Sequence, residues 1–167
     1  MFYDLLDTPI GTLALLASEE GLRQVIHCKT RPELVFAMKT KADYAPIKLT
    51  DISASVLAFL KGDIMHLDIP LDHSGGTELQ QNVWAALQEI PYGERISYTE
   101  LAGNVGKSRA VRAVASACGA NPTPLVVPCH RVVSKDGGLG GFAWGLDKKE
   151  WLLNMEVEKR HAELMAA

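Results

Sequence analysis

The strongest constraint on how this chain folds is a break in its pattern at Asp72-His73-Ser74-Gly75-Gly76, which reads as a linker between two differently patterned stretches. Ahead of it, strands are expected over Phe2 to Leu6, Thr12 to Ala17 and Leu22 to His27, with the turn signals Thr8-Pro9-Ile10-Gly11 and Glu19-Glu20-Gly21 between them. Such a run makes a small meander. Pro32 suits the first turn of a helix running to about Ala42, and a second helix is expected from about Asp51 to Lys61, stopped by Gly62. Ile52, Val56, Phe59 and Leu60 share one apolar face of that second helix. A chain of 167 residues with 47% hydrophobic content can bury one core or two small ones. The break divides it into residues 1–75, a mixed sheet-and-helix unit, and residues 76–167, a mainly helical one.

Helical signals dominate the second stretch. Thr77 caps a helix whose Leu79, Val83, Ala86, Leu87 and Ile90 share one side, and Pro91 with Gly93 ends it. Ser97 followed by Glu100 is a capping box that opens a short helix with Leu101, Ala102 and Val105 on its buried side. After the turn at Gly106-Lys107, Ser108 is expected to cap a helix to about Cys118, packed through Val111, Val114 and Ala117 and closed by Gly119. Two short helices around a tight glycine-containing turn form a helix-turn-helix signature. Arg109 and Arg112 fall on one side of the second helix, and the small residues Ala110, Ala113 and Ala115 would let a groove wall approach closely. Then come Asn121-Pro122, a buried-looking run Leu125-Val126-Val127, and Pro128-Cys129-His130-Arg131. A flexible loop is expected over Gly137, Gly138, Gly140, Gly141 and Gly145, before a last helix with Asp147 and Glu150 as its capping box.

Composition narrows the setting. A net charge of -3 argues mildly against a nucleic-acid partner, because phosphate binding draws on clustered Lys and Arg. Between Ile90 and Lys149, however, eight basic residues (Arg95, Lys107, Arg109, Arg112, Arg131, Lys135, Lys148, Lys149) stand against four acidic ones (Glu94, Glu100, Asp136, Asp147), which leaves that segment at +4. Charge alone does not separate a DNA-binding face from an ordinary solvated surface. No stretch approaches the roughly 20 apolar residues that cross a bilayer. The opening Met1-Phe2-Tyr3-Asp4 lacks the basic start and apolar run of a signal peptide, so a cytoplasmic protein is expected. Cys28, Cys118 and Cys129 form no C-x-x-C pair and no zinc pattern, and read as free thiols in a reducing compartment.

Chemistry concentrates at Cys129. It follows a proline at the end of an apolar run and precedes a histidine and an arginine, surroundings that push a thiol towards the nucleophilic thiolate. Cys28 and Cys118 read instead as small buried hydrophobes. An imidazole such as His130 takes a thiol proton when a carboxylate orients its second nitrogen. Glu156 on the last helix is the first choice for that carboxylate, with Asp136 and Glu150 as alternatives.

Pro128-Cys129-His130-Arg131-Val132-Val133, with Arg112-Ala113-Val114 and Asn121-Pro122 before it and Lys149-Glu150-Trp151-Leu152-Leu153 after it, resembles the O6-alkylguanine-DNA alkyltransferases. The resemblance runs from about Thr77 to Glu156 and takes in Gln81, Val83-Trp84, Ile90-Pro91, Gly93-Glu94 and Ser97-Tyr98. Ahead of Thr77 it extends only to the layout and the Thr8-Pro9-Ile10-Gly11 turn. It implies a two-domain α/β (α+β) fold: a ribonuclease H-like domain at 1–75 and a mainly α, winged-helix-like domain with a helix-turn-helix at 76–167. The implied activity is DNA repair by irreversible, single-use transfer of an alkyl group from O6-alkylguanine to Cys129, with no cofactor and no metal. O4-alkylthymine is a second lesion to test.

Carried over by position, the resemblance makes Cys129 the acceptor, His130 a base acting through water, and Glu156 the residue that orients His130. Asn121 would brace the turn bearing the cysteine, and Tyr98 would give a proton to N3 of the departing guanine. The main-chain carbonyls of Cys129 and Val132 would accept from the guanine amino group and the Ala143 amide would reach O6, with Cys118, Phe142 and Trp144 around the base. Arg112 would fill the gap left by a flipped nucleotide, as the second helix enters the minor groove of double-stranded DNA alongside Arg109, Ala110, Lys107 and Lys135. A monomer suffices for that arrangement.

This sequence departs from the family pattern in places. Phe142 stands where many relatives carry tyrosine, and Ala143-Trp144 where many have a small residue followed by glycine. Trp144 at a pocket rim would favour methyl over benzyl adducts. Leu79 replaces a frequent phenylalanine, and Cys118, expected to face the pocket, is a candidate second alkylation site. The alternatives are a lesion-binding protein without chemistry, a helix-turn-helix regulator, and a cysteine hydrolase that turns over many times.

Overall fold

All three expected strands form, each within two residues of the expected ends: β1 (Phe2–Thr8), β2 (Gly11–Ala17) and β3 (Leu22–His27). The computed structural model describes residues 1–29 and 41–167, and its contacts separate the chain into two units, Met1–Ser74 and Gly75–Ala167. The first unit is a sheet of order β3-β2-β1-β4, in which the short β4 (Asp43–Tyr44) runs parallel to β1. Two residues carry no readable period, which is why β4 was not expected. Strands β1 and β2 pair antiparallel from Phe2↔Ala17 to Thr8↔Gly11, with Gly11 at φ 108° closing the tight turn.

Central position explains why β2 reads as an unbroken apolar run. Leu13, Ala14, Leu15, Leu16 and Ala17 are all buried, because both faces of the strand are covered. Tyr3, Ala14, Leu16 and Ala42 cluster on one face. On the other, Leu15 lies opposite Asp4 in the ladder, and Ser53 of helix α1 (Thr50–Lys61) donates to Asp4 Oδ2 at 2.7 Å. Val56, Phe59 and Leu60 of α1 are buried, while Ile52 is half-buried. Gly62, in the left-handed region at φ 75°, ends α1 by donating to Phe59 O at 2.9 Å. The helix expected from Pro32 falls, over residues 32–40, outside the described residues, and Ala42 itself is not helical.

In the second unit, α2 (Glu78–Gln88) opens on a Thr77–Gln80 capping box and buries Val83, Trp84 and Leu87. Helix α3 (Tyr98–Asn104) opens on the Ser97–Glu100 capping box and buries Leu101 and Ala102, while Val105 is half-buried. Helix α4 (Val111–Gly119) starts later than expected: Ser108 caps nothing, and Ala110 takes the N-cap position without a side-chain bond. The reason is local, since the Ala110 amide is used in a turn back to Lys107 O at 2.8 Å. Trp84 Nε1 donates to Ala117 O at 2.9 Å and ties α2 to α4.

Strands β5 (Ile96–Ser97) and β6 (Val132–Val133) pair in parallel, so the residues before α3 lie beside those after Cys129. Helix α5 (Leu146–Ala166) completes the unit and buries Lys149, Leu152, Leu153, Met155 and Glu156. Its expected capping box is absent: Gly145 is the N-cap, and Asp147 lies in the first turn, where a carboxylate favours the positive end of the helix. The architecture is mixed α/β. Among the described residues no helix is long and apolar enough to cross a membrane.

Candidate active site

Cys129 begins a single 3-10 turn, Cys129–Arg131, that follows a heavily braced loop. The brace centres on one carbonyl: Val127 O accepts from the Cys129 amide at 2.8 Å and from Asn121 Nδ2 at 2.8 Å. Asn121 Oδ1 in turn accepts from the Thr123 amide at 3.0 Å. Leu125, at φ 78°, takes a left-handed conformation that residues with a side chain seldom adopt. Loss of Asn121 would therefore remove one of the two bonds at Val127 O and the bond to the Thr123 amide, and loosen the turn that carries the thiol.

Behind Cys129 lies a closed ionic cluster. His130 is wholly buried and its Nε2 is 2.6 Å from Glu156 Oε1. Arg131 holds the same carboxylate with both arms, Nε to Oε2 at 2.9 Å and the second terminal nitrogen to Oε1 at 3.0 Å, and gives its other terminal nitrogen to Ile90 O at 2.6 Å. The Gly93 amide adds a bond to Glu156 Oε2 at 3.1 Å. Burial raises the pKa of Glu156, but hydrogen bonds and charge from His130 and Arg131 outweigh it and hold the group at about 2. Burial lowers the pKa of His130, and the positive Arg131 and Lys149 act the same way against the pull of Glu156. The resting pair is thus a neutral imidazole against an ionised carboxylate.

That state fixes the tautomer. A carboxylate only accepts, so Nε2 carries the proton and Nδ1 carries the lone pair. Nδ1 is buried with no hydrogen-bond partner. Asp136 and Glu150, the alternative carboxylates, are both exposed and make no contact with His130.

In front of Cys129 is a cavity of about 580 Å³ lined by Tyr98, Cys118, Asn121, Gly140, Phe142 and Ala143, among others. Burial raises the pKa of the Cys129 thiol, while the Asn121 side chain and the charge of Lys149 hold it back. Burial also raises that of Tyr98, as do the two neighbouring thiols, so its phenol stays protonated. The Tyr98 hydroxyl is 3.5 Å from Gly141 O. Gly140 is a close approach: at φ 73°, an added Cβ would sit 2.7 Å from Tyr98 Cε2 and 3.0 Å from its oxygen.

Two expected site residues stand differently, and a third stands where it was expected. Trp144 is buried and packs edge-on to Phe142, with ring centroids 5.5 Å apart, and is absent from the cavity wall. Val132 O accepts from Lys149 Nζ at 2.5 Å and does not line the cavity either. Cys118 does line it, and burial pushes its thiol up to about 12. Lys107, Arg109 and Arg112 are exposed at and before the start of α4, with Ala110 half-buried between them, and Lys135 is exposed on the turn from Ser134 to Gly138.

Sequence reasoning missed the parts played by Arg131 and Lys149. Both stand among the basic residues of the +4 segment, with no buried partner expected for either, and both are buried. Lys149 is wholly enclosed and bridges Val132 O and Gly141 O, at 2.5 and 3.0 Å, so it joins β6 to the glycine loop. The signal was available, because Lys149 lies three and four residues before Leu152 and Leu153 on the apolar face of α5. Among the described residues no group of three or more His, Cys, Asp or Glu is placed to hold a metal ion.

Comparison with known proteins bears on this geometry. Residues 78–158 match the family model described as the DNA-binding domain of 6-O-methylguanine DNA methyltransferase. A methylated-DNA–protein-cysteine methyltransferase of Methanosarcina barkeri is 39% identical across 93% of this chain and 97% of its own. The bifunctional transcriptional activator and DNA repair enzyme Ada of Escherichia coli is 41% identical across 93% of this chain and 45% of its own. The crystal structure of Mycobacterium tuberculosis OGT in complex with DNA superposes with a TM-score of 0.86 at 34% identity, covering 95% of this chain and 94% of that one.

Proposed function

Because the chain belongs to the methylated-DNA–protein-cysteine methyltransferase family, we propose that it repairs DNA by taking the alkyl group of O6-alkylguanine onto its own Cys129. The observation that carries the choice of residue is that Cys129 is followed directly in the chain by the buried His130–Glu156 pair, with the imidazole lone pair at Nδ1 unused. Cys118 shares the cavity but stands between Ala117 and Gly119 at the end of α4, with no histidine beside it in the chain.

The reaction follows from those groups. His130, acting through a water, takes the Cys129 proton, and Glu156 stabilises the imidazolium that forms. Sγ then displaces guanine from the alkyl carbon. The C–O bond breaks, and Tyr98 supplies a proton so that guanine leaves neutral. The product is a thioether, for which this site holds no second nucleophile able to regenerate the thiol, so each molecule acts once.

DNA recognition is assigned to α3 and α4 as a helix-turn-helix in a winged-helix-like domain, with the first unit as a ribonuclease H-like domain. Exposed Lys107, Arg109, Arg112 and Lys135 support a phosphate-facing surface. Arg112 would occupy the place of the flipped nucleotide, whose extrusion costs a few kcal/mol. Free thiols at Cys28, Cys118 and Cys129 support work in the reducing cytoplasm.

Mass spectrometry after incubation with a duplex carrying one O6-methylguanine tests this reading. One methyl per molecule on Cys129, and none on the Cys129→Ala variant, is the expected result. A protein that binds the duplex and stays unmodified would be a lesion binder, and methyl found on Cys118 would move the acceptor.

A further inference from the structure

The cavity in front of Cys129 holds a second nucleophile that single-alkyl transfer does not use. Cys118 lies at the end of α4, is 3% exposed, and lines the same cavity as Cys129. Asn121 spans the two: its amide donates to Cys118 O at 3.2 Å, and its side chain braces the Cys129 turn through Val127 O. Charge on Cys129 is felt by Cys118, and charge on both thiols is felt by Lys149. Two thiols that line one pocket form a pair, and a pair can hold a two-carbon bridge.

We infer that Cys118 captures the far end of bifunctional alkyl lesions, those whose O6 substituent carries a second leaving group, as in O6-(2-haloethyl)guanine. The inference rests on Cys129 being the acceptor. In the first step Cys129 Sγ bonds to the carbon attached to O6, and guanine departs, leaving a haloethyl thioether. The thioether sulfur then displaces halide from the far carbon to form a three-membered episulfonium ion. Cys118 Sγ opens that ring, forming a second S–C bond as one ring S–C bond breaks, and its proton passes to solvent at the cavity mouth. The net product is a Cys129–CH2–CH2–Cys118 bridge, one halide ion and one proton, with no oxidant or reductant required.

Without a second thiol, the episulfonium ion has water or the bound DNA as its partners. Attack by a DNA base would join the repair protein to the strand it is repairing. Burial favours Cys118 in that competition, because the thiol is already inside the pocket where the ion forms. Its high pKa slows attack on ordinary alkyl groups, and an episulfonium ion is a far stronger electrophile.

The test uses the full chain with two duplexes, one carrying a single freshly prepared O6-(2-chloroethyl)guanine and one carrying O6-methylguanine. Peptide mapping of the wild-type protein after the chloroethyl duplex is expected to find the Cys118 and Cys129 peptides joined, each thiol hydrogen replaced by one end of an ethylene bridge. For Cys118→Ser, the reacted molecules should instead carry hydroxyethyl on Cys129 or be cross-linked to DNA, with the cross-linked share raised at least severalfold. Shares are taken over reacted molecules only, so a slower variant does not distort them. Methyl on Cys129 without any bridged peptide, and the same product shares in both proteins, would overturn the inference. Methyl absent from Cys129 would overturn the assignment of the acceptor beneath it.

Discussion

Trp144 illustrates how one side chain can act on a pocket it does not line. Its indole is buried and meets the Phe142 ring at 61°, and Phe142 is part of the cavity wall. The expected bias against benzyl adducts therefore runs through Phe142, whose ring cannot turn aside while the indole backs it. Trp144→Ala removes that backing. The ratio of benzyl to methyl transfer rates is expected to rise by roughly tenfold, equivalent to about 1.4 kcal/mol in the barrier. Equal falls in both rates would mean that the indole only stabilises the loop. Lys149 works at the same scale and in the opposite way, by holding rather than blocking. Lys149→Met would leave Val132 O without this donor and Gly141 O with the Tyr98 hydroxyl, at a cost of roughly 1–3 kcal/mol for the buried Val132 carbonyl where water does not replace it. Thermal unfolding should show that loss, together with slower methyl transfer.

At the scale of elements, α4 and the glycine loop face the substrate from different directions and separate by experiment. Arg112 is exposed in the first turn of α4 and is not among the residues that line the cavity. Arg112→Ala is expected to slow repair of a duplex by up to roughly a hundredfold, the equivalent of the few kcal/mol that extrusion costs. Reaction with free O6-benzylguanine, where nothing is flipped, should be unchanged, and an equal loss there would remove the arginine from its assigned role. The loop is tested at Gly140, where a Cβ would collide with Tyr98. Gly140→Ala should slow methyl transfer tenfold or more, within the range that a proton donor contributes. Gly137→Ala is the control: its φ of 89° is equally strained, but its Cβ would meet nothing within 4 Å. These elements also show what could be read from residues alone. Thr77 and Ser97 were legible as caps because each has its reciprocal partner three residues on. Ser108 and Asp147 have the right residue types, but local turns fixed the backbone elsewhere, at Lys107 and at Gly145 with φ 104°. The pairing of β5 with β6, and with it the placing of Tyr98 near the residues after Cys129, had no signal because two-residue strands have no period.

On the scale of the whole molecule, the site's ionic cluster becomes a statement about stability in acid. Glu156 titrates at about 2 in the folded chain against an ordinary 4.5, so the unfolded chain takes up its proton first as pH falls. Its contribution is complete above about pH 4.5 and is lost progressively as pH drops towards 2. His130 acts in the same direction, because its folded pKa lies below the ordinary 6.5, and the unfolded chain protonates first there too. Stability of the second unit should therefore begin to fall below about pH 6.5 and fall more steeply below about pH 4.5. Glu156→Gln removes the second part of that loss and leaves Arg131 buried without its carboxylate, at a cost of roughly 3–5 kcal/mol near neutrality. The difference between variant and wild type should shrink as pH falls from 7 to 3. All three tryptophans, Trp84, Trp144 and Trp151, lie in Gly75–Ala167, so urea unfolding followed by tryptophan fluorescence reports the unit that contains Glu156. Parallel pH dependences for the two proteins would show that the carboxylate is not held down by its neighbours, and would also remove the basis for placing the His130 proton on Nε2.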